Sequence, residues 1–178
     1  VREETRRERY DKKHKTAKKY PISLCAINFR VDDNLGYLVR SVACFGAERL
    51  YVVGHVPSRR SIKASSGSLI DYVEIVSFST PCEFVDHAKS EEIQIVSAEL
   101  VEGARRFSTY DFNFDRPLCL VVGNECSGVP SEIISNSDVI YIKMPGIGYC
   151  LNTSQVANLM LYKAVTQYEI STGDHYLP

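Results

Sequence analysis

The chain has 178 residues, 44% of them hydrophobic, which is enough for one cored domain with an extension and too apolar for a disordered chain. Its net charge of −1 is unevenly spread: residues 1–20 hold nine Lys/Arg against four Asp/Glu. No apolar run reaches membrane-span length, and the charged N-terminus lacks a signal-peptide core, so a membrane location is not expected.

The run "RRERYDKKHKTAKKY" is too charged to nucleate a core, and its expected fate is a solvated arm. Its functional alternative is a contact to phosphates, with Tyr10 and Tyr20 available for stacking. After Pro21 the pattern alternates. "SLCAIN" reads as a strand. "NLGYLVRSVACFG" reads as a helix with Leu35, Leu38, Val39, Val42 and Ala43 on one face, Asn34 as N-cap and Gly46 as stop. "RLYVVG" is a strand, "SIKASSGS" a polar loop or short helix, and "YVEIVSF" a further strand. Pro81 starts a helix at its first position. "IQIVSAEL" is a strand, residues 101–117 a long connection, and "LCLVVG" a buried strand. A short helix from Pro130, a strand "DVIYIKM" and a final helix over about 153–169 complete the chain, with "STGDHYLP" as a loose tail. Strands alternating with helices predict an α/β fold, a parallel sheet flanked by helices.

Ligands of such sheets gather beyond the C-terminal strand ends. Two glycine-rich loops lie there, "GNECSG" (123–128) and "MPGIGYCLN" (144–152). The first lacks the Lys-Ser/Thr of a phosphate loop, and the second breaks G-x-G-x-x-G at its last glycine, so an ordinary ATP or NAD site is disfavoured. Glu125 sits on the first loop as a helix cap, a solvated group or a ligand contact. Asn152 and Gln155 have the spacing of a capping box. Arg40 lies one turn after Gly36 and leans back over it, so the glycine reads as clearance that delivers a guanidinium beside Asn34. The six cysteines and four histidines show no ligand spacing. A metal is not expected, and a reducing interior is the expected compartment.

Three motifs, "NLGYLVR" followed by "FGA", "LVVGNECSGVP" and "IYIKMPGIGYCLNTSQVA", occur in an order and spacing that resembles the TrmH (SpoU) branch of the SPOUT RNA methyltransferases, over about residues 22 to 168. The resemblance implies a SPOUT-type domain over 21–170 with a C-terminal deep trefoil knot, between the arm (1–20) and the tail (171–178). It implies S-adenosylmethionine as cofactor, a homodimer, tRNA or rRNA as partner, and methylation of a ribose 2′-hydroxyl in the cytoplasm. Arg40, Asn34, Glu125 and Asn152 would form the catalytic side. Gly123, Ile142, Met144, Gly146 and Leu151 would bind the cofactor, and Arg40, Ser65, Ser66 and Gly67 would face RNA. Two positions depart from the family pattern: Lys143 replaces a proline, and Cys150 replaces a serine, whose hydroxyl is the stronger donor. A non-catalytic RNA-binding protein on the same fold is the competing expectation.

Overall fold

The computed structural model describes residues 4–174. Seven strands form one parallel sheet: β1 (Ile22–Ile27), β2 (Leu50–Val53), β3 (Ile75–Phe78), β4 (Gln94–Ala98), β5 (Arg105–Arg106), β6 (Leu118–Val122) and β7 (Asp138–Tyr141). Their spatial order is β3-β2-β1-β6-β4-β7-β5. Ile22 registers with Leu118 and Leu24 with Leu50, so the most apolar strands occupy the middle. Five helices cover the faces: α1 (Arg6–His14), α2 (Asp32–Phe45), α3 (Pro81–Ser90), α4 (Ser131–Ile134) and α5 (Thr153–Thr172).

Side chains alternate across a strand, and the sheet accordingly has two cores. Ile22, Leu24 and Ala26 of β1, with Leu118, Leu120 and Val122 of β6, pack under α2 and α5. Cys25, Ile27, Cys119 and Val121 face the other way, under Phe84 and Val85 of α3 and Ile133 of α4. The stripe predicted on α2 is the buried one: Leu35, Leu38, Val39 and Val42 are all closed to solvent. Gly46 ends that helix in the left-handed conformation (φ 69°). Pro81 occupies the first turn of α3, whose N-cap is Thr80.

Several expectations need correction. The N-terminal run is a helix, closed by a Thr5/Glu8 capping box, and the Tyr72 hydroxyl donates to Asp11 at 2.6 Å to hold it on the domain. Tyr20 is buried, donates its hydroxyl to Glu169 at 2.6 Å and meets Tyr168 edge-on, so it is not free to stack on a base. The connection 101–117 contains β5 and the buried rings of Tyr110 and Phe112. Ser171 and Thr172 of the expected tail belong to α5, and residues 175–178 lie outside the described residues. Among the described residues, no helix is long and apolar enough to cross a membrane.

Candidate active site

The C-terminal ends of β1, β6, β4 and β7 open on one edge, where the loops into α2, α4 and α5 converge. The loop after β6 is folded back on itself. Asn124 and Gly128 exchange backbone hydrogen bonds at 3.0 Å, and the Asn124 side chain accepts from the N–H groups of Cys126 and Ser127. Gly123 permits this closure, because a Cβ there would lie 2.2 Å from the Gly128 carbonyl carbon. From the end of β4, Glu99 accepts the Val129 N–H at 2.8 Å and fixes the loop from the side.

Glu125 leaves this loop toward the start of α2. Its carboxylate accepts from the Arg30 N–H at 2.9 Å, the Val31 N–H at 3.3 Å and the Asn34 amide at 2.7 Å. Asn34 is therefore not the N-cap. Val31 holds that position without a side-chain bond, the helix begins three residues earlier than the sequence predicts, and Asn34 is buried in its first turn. Partial burial pushes the Glu125 carboxyl up. The N–H groups of Arg30, Asn34 and Val31 outweigh that and leave it below the ordinary carboxylate value.

A carboxylate only accepts, and this fixes the polarity of everything beyond it. Asn34 must turn its NH₂ toward Glu125, which leaves its oxygen for the Asn152 amide at 3.0 Å. Asn152 in turn presents its oxygen to the Ser154 N–H at 2.8 Å and hydroxyl at 2.6 Å. The predicted Asn152/Gln155 capping box is present at the start of α5. One directional chain thus joins the loop after β6, the first turn of α2 and the first turn of α5, and it contains three of the four catalytic candidates.

Arg40, the fourth, is exposed nearly two turns further along α2 and forms no ion pair among the described residues. With Tyr37, Asn152, Gln155 and Asn158 it lines an open groove between α2 and α5. Ser41 on the groove floor donates to Asn158, a pairing that periodicity does not reveal. The reading of Gly36 changes. A Cβ there would lie 2.0 Å from the Ser65 hydroxyl and 3.2 Å from the Ile62 Cβ, so the bare spot admits the loop after β2 and not the arginine. That loop then touches Arg40 through Gly67, where a Cβ would sit 3.1 Å from the guanidinium. Ser65 and Ser66 are buried and cap the turn internally, donating to the Ile62 and Lys63 carbonyls. Of the three residues expected to face RNA from this loop, Gly67 lies against Arg40.

The cofactor candidates lie at the ends of β6 and β7. Gly123 is buried, Ile142 and Met144 are half-buried, and Gly146 and Leu151 are exposed. No backbone N–H from Lys143 to Leu151 is hydrogen-bonded within the described chain, and the Ile147 and Tyr149 side chains are fully exposed. The buried Thr153 hydroxyl, where the loop enters α5, has no hydrogen-bond partner among the described residues. A loop with unpaired donors, apolar side chains and an orphaned hydroxyl suits a ligand that is part heteroaromatic and part polar.

Known proteins resemble this chain in sequence and fold. A tRNA (guanosine(18)-2′-O)-methyltransferase of Escherichia coli K12 is 26% identical over 147 residues, which cover 82% of this chain. The chain spans 63% of that relative's length. The crystal structure of an A. aeolicus TrmH/SpoU tRNA modifying enzyme superposes with a TM-score of 0.78 at 26% identity, covering 93% of this chain and 85% of that one. The SpoU methyltransferase AviRb of Streptomyces viridochromogenes, solved with AdoMet, gives 0.72 at 26% identity over 84% and 60%. Residues 21–162, which include both glycine loops, Arg40 and the hydrogen-bonded chain, match the SpoU rRNA Methylase family, and the protein belongs to it.

Proposed function

We propose that the protein transfers a methyl group from S-adenosylmethionine to a ribose 2′-hydroxyl of tRNA or rRNA. The carrying observation is the Arg40 groove, which shares Asn152 with the hydrogen-bonded chain that ends at Glu125. Membership of the family and the activities of the relatives point the same way.

The residues present fit the adenosyl group. Backbone N–H groups of 143–151 would hold its polar edge, with Gly123, Ile142, Met144, Gly146 and Leu151 around it. When bound, S-adenosylmethionine supplies the electrophilic methyl, so the protein's task is orientation and charge. A guanidinium keeps its proton, which makes Arg40 a clamp and not a base. Its planar fork holds the phosphate beside the target ribose and stabilises the charge that develops on the 2′-oxygen. The 2′-proton passes by way of that phosphate to water as the methyl bonds to the 2′-oxygen. Glu125 is occupied by three N–H donors and acts as a positioning residue, keeping the Asn34 and Asn152 amides turned one way.

Two further features of the reading concern assembly. The loops after β6 and β7 form a deep trefoil knot, supported by the tight Gly123–Gly128 closure and by α5 packing back on β1, β6 and α2. The protein works as a homodimer, supported by the uncovered Leu159 and Tyr162 on α5 and Tyr37 on α2.

The test is incubation of the protein with total RNA and methyl-labelled S-adenosylmethionine, followed by mapping of the modified nucleotide. The expected product resists alkaline cleavage at one ribose. Cofactor binding without transfer overturns the enzyme reading in favour of a non-catalytic RNA-binding protein.

A further inference from the structure

The loop that reaches Arg40 from one side has a second face. There, α1 and the turns at residues 59–72 enclose a cleft of about 670 Å³. Five cations line it, Arg6 and Arg7 from the helix and Arg59, Arg60 and Lys63 from the loop, against one carboxylate, Asp71, which pairs with Arg59. Arg6, Arg7, Arg60 and Lys63 are exposed and have no ion-pair partner among the described residues. A separate depression, at the end of the sheet beyond α3, mixes Lys89 and Arg116 with Glu92 and Asp138, whereas the neighbouring depression between α1 and α2 shares the cationic excess, with Lys13, Lys18, Lys19 and Arg40 against Glu48.

Four exposed cations left unpaired in one concavity repel one another, and an unmet positive field of this kind is what a polyanion neutralises. The cleft is also built to keep its shape. Tyr72 donates to Asp11, the rings of Tyr10 and His14 meet Tyr72 edge-on at 5.8 and 5.4 Å, and the Tyr10 hydroxyl donates to the Gly67 carbonyl at 3.4 Å. Gly67 thus stands between the cleft and Arg40. Its carbonyl accepts from Tyr10, which lines the cleft, while its α-carbon, held at φ 62° where a side chain is strained, lies against the Arg40 guanidinium.

We propose that this cleft is the path of the RNA backbone beside the target nucleotide, carrying the phosphates that flank the ribose held at Arg40. The inference rests on the function proposed above and names a part of the substrate that the groove at Arg40 does not reach. Arg60 and Lys63 take phosphates from the domain side, and Arg6 and Arg7 take them from α1. The helix is therefore one bank of a binding groove, which explains why so charged a segment is folded against the domain.

The experiment measures binding of unfractionated tRNA and of a mixed-sequence single-stranded RNA by the full chain over a range of salt. Arg60→Gln/Lys63→Gln is compared with Lys89→Gln/Arg116→Gln, which removes the same charge elsewhere. Each phosphate contact contributes about 0.7–0.9 to the slope of log K against log salt. The cleft double variant is expected to lose about 1.5 from that slope and to bind at least about tenfold more weakly at low salt, while the control pair keeps the parent slope. Equal losses in both pairs, or none in the cleft pair, overturn the proposal. S-adenosylmethionine binding and thermal unfolding, measured on the same samples, report the fold. A slope change confined to the cleft pair, in a protein that transfers no methyl group, supports the cleft and removes the enzyme reading. Transfer with an unchanged slope does the reverse.

Discussion

Replacing Glu125 with glutamine tests the directional chain at its anchor. One carboxylate oxygen receives Val31 and Asn34, and the other receives Arg30. Glutamine has a single carbonyl oxygen. If that oxygen keeps the pair of donors, its NH₂ is pressed against the Arg30 N–H, so one hydrogen bond is lost and two donors face each other. Hydrogen bonds to a charged group contribute about 1.5–3 kcal/mol each, and partial exposure lets water recover some of the loss. The expected destabilisation of Glu125→Gln is about 2 kcal/mol at neutral pH. The pH dependence has a definite sign. The folded carboxyl lies below its ordinary value of 4.5, so its contribution is complete above 4.5 and is lost as pH falls through the folded value. Urea unfolding of parent and variant, run at neutral pH and through the acid range, should show a gap that closes below about pH 4.5. Equal stability at neutral pH, or a gap that widens in acid, refutes the reasoning.

Gly36→Ala gains about 1 kcal/mol of helix propensity but drives a Cβ into Ser65, a crowding that costs about 1–3 kcal/mol. Thermal unfolding should show net destabilisation, relieved in Gly36→Ala/Ser65→Gly; a single variant more stable than the parent contradicts the contact. Arg40→Ala should lower methyl transfer on the order of 100-fold with cofactor binding intact, and Arg40→Lys should recover little because a point charge lacks the fork. Full activity of Arg40→Ala sinks the clamp. Cys150 is exposed, so Cys150→Ser should shift stability by less than about 0.5 kcal/mol and leave transfer equal or higher. A fall in transfer would assign a role to the thiol itself.

Local rules made much of the fold legible. The stripe on α2, the stop at Gly46, the proline that opens α3 and the Asn152 capping box are each set by residues within two turns of one another. What stayed hidden depends on distant partners. The sequence puts the start of α2 too late because the carboxylate that fixes the turn before it, Glu125, lies 95 positions from Arg30, and no local pattern reports that. Gly36 stood out correctly as an anomaly, but the side chain it clears for belongs to another segment. Tyr110 and Phe112 lie in a stretch of mixed polarity without period, and only the packed structure shows them as core. The groove residues Ser41 and Asn158 were invisible for the same reason: their pairing spans two helices.

The strand order has a consequence for how the chain comes together. β1 is the third of the seven strands, and its neighbour on one side, β6, registers Leu118 against Ile22. The first three strands can associate early, since β2 and β3 follow closely, but they leave one side of β1 as a bare apolar edge until β6 arrives. Parallel pairing of this sequence separation closes a large loop before any contact rewards it, which makes folding slow. During synthesis the exposed edge of β1, with Leu24, Ala26 and Ile27 unshielded, is the segment most prone to pair with another chain. Refolding yield should therefore fall with protein concentration well before stability does.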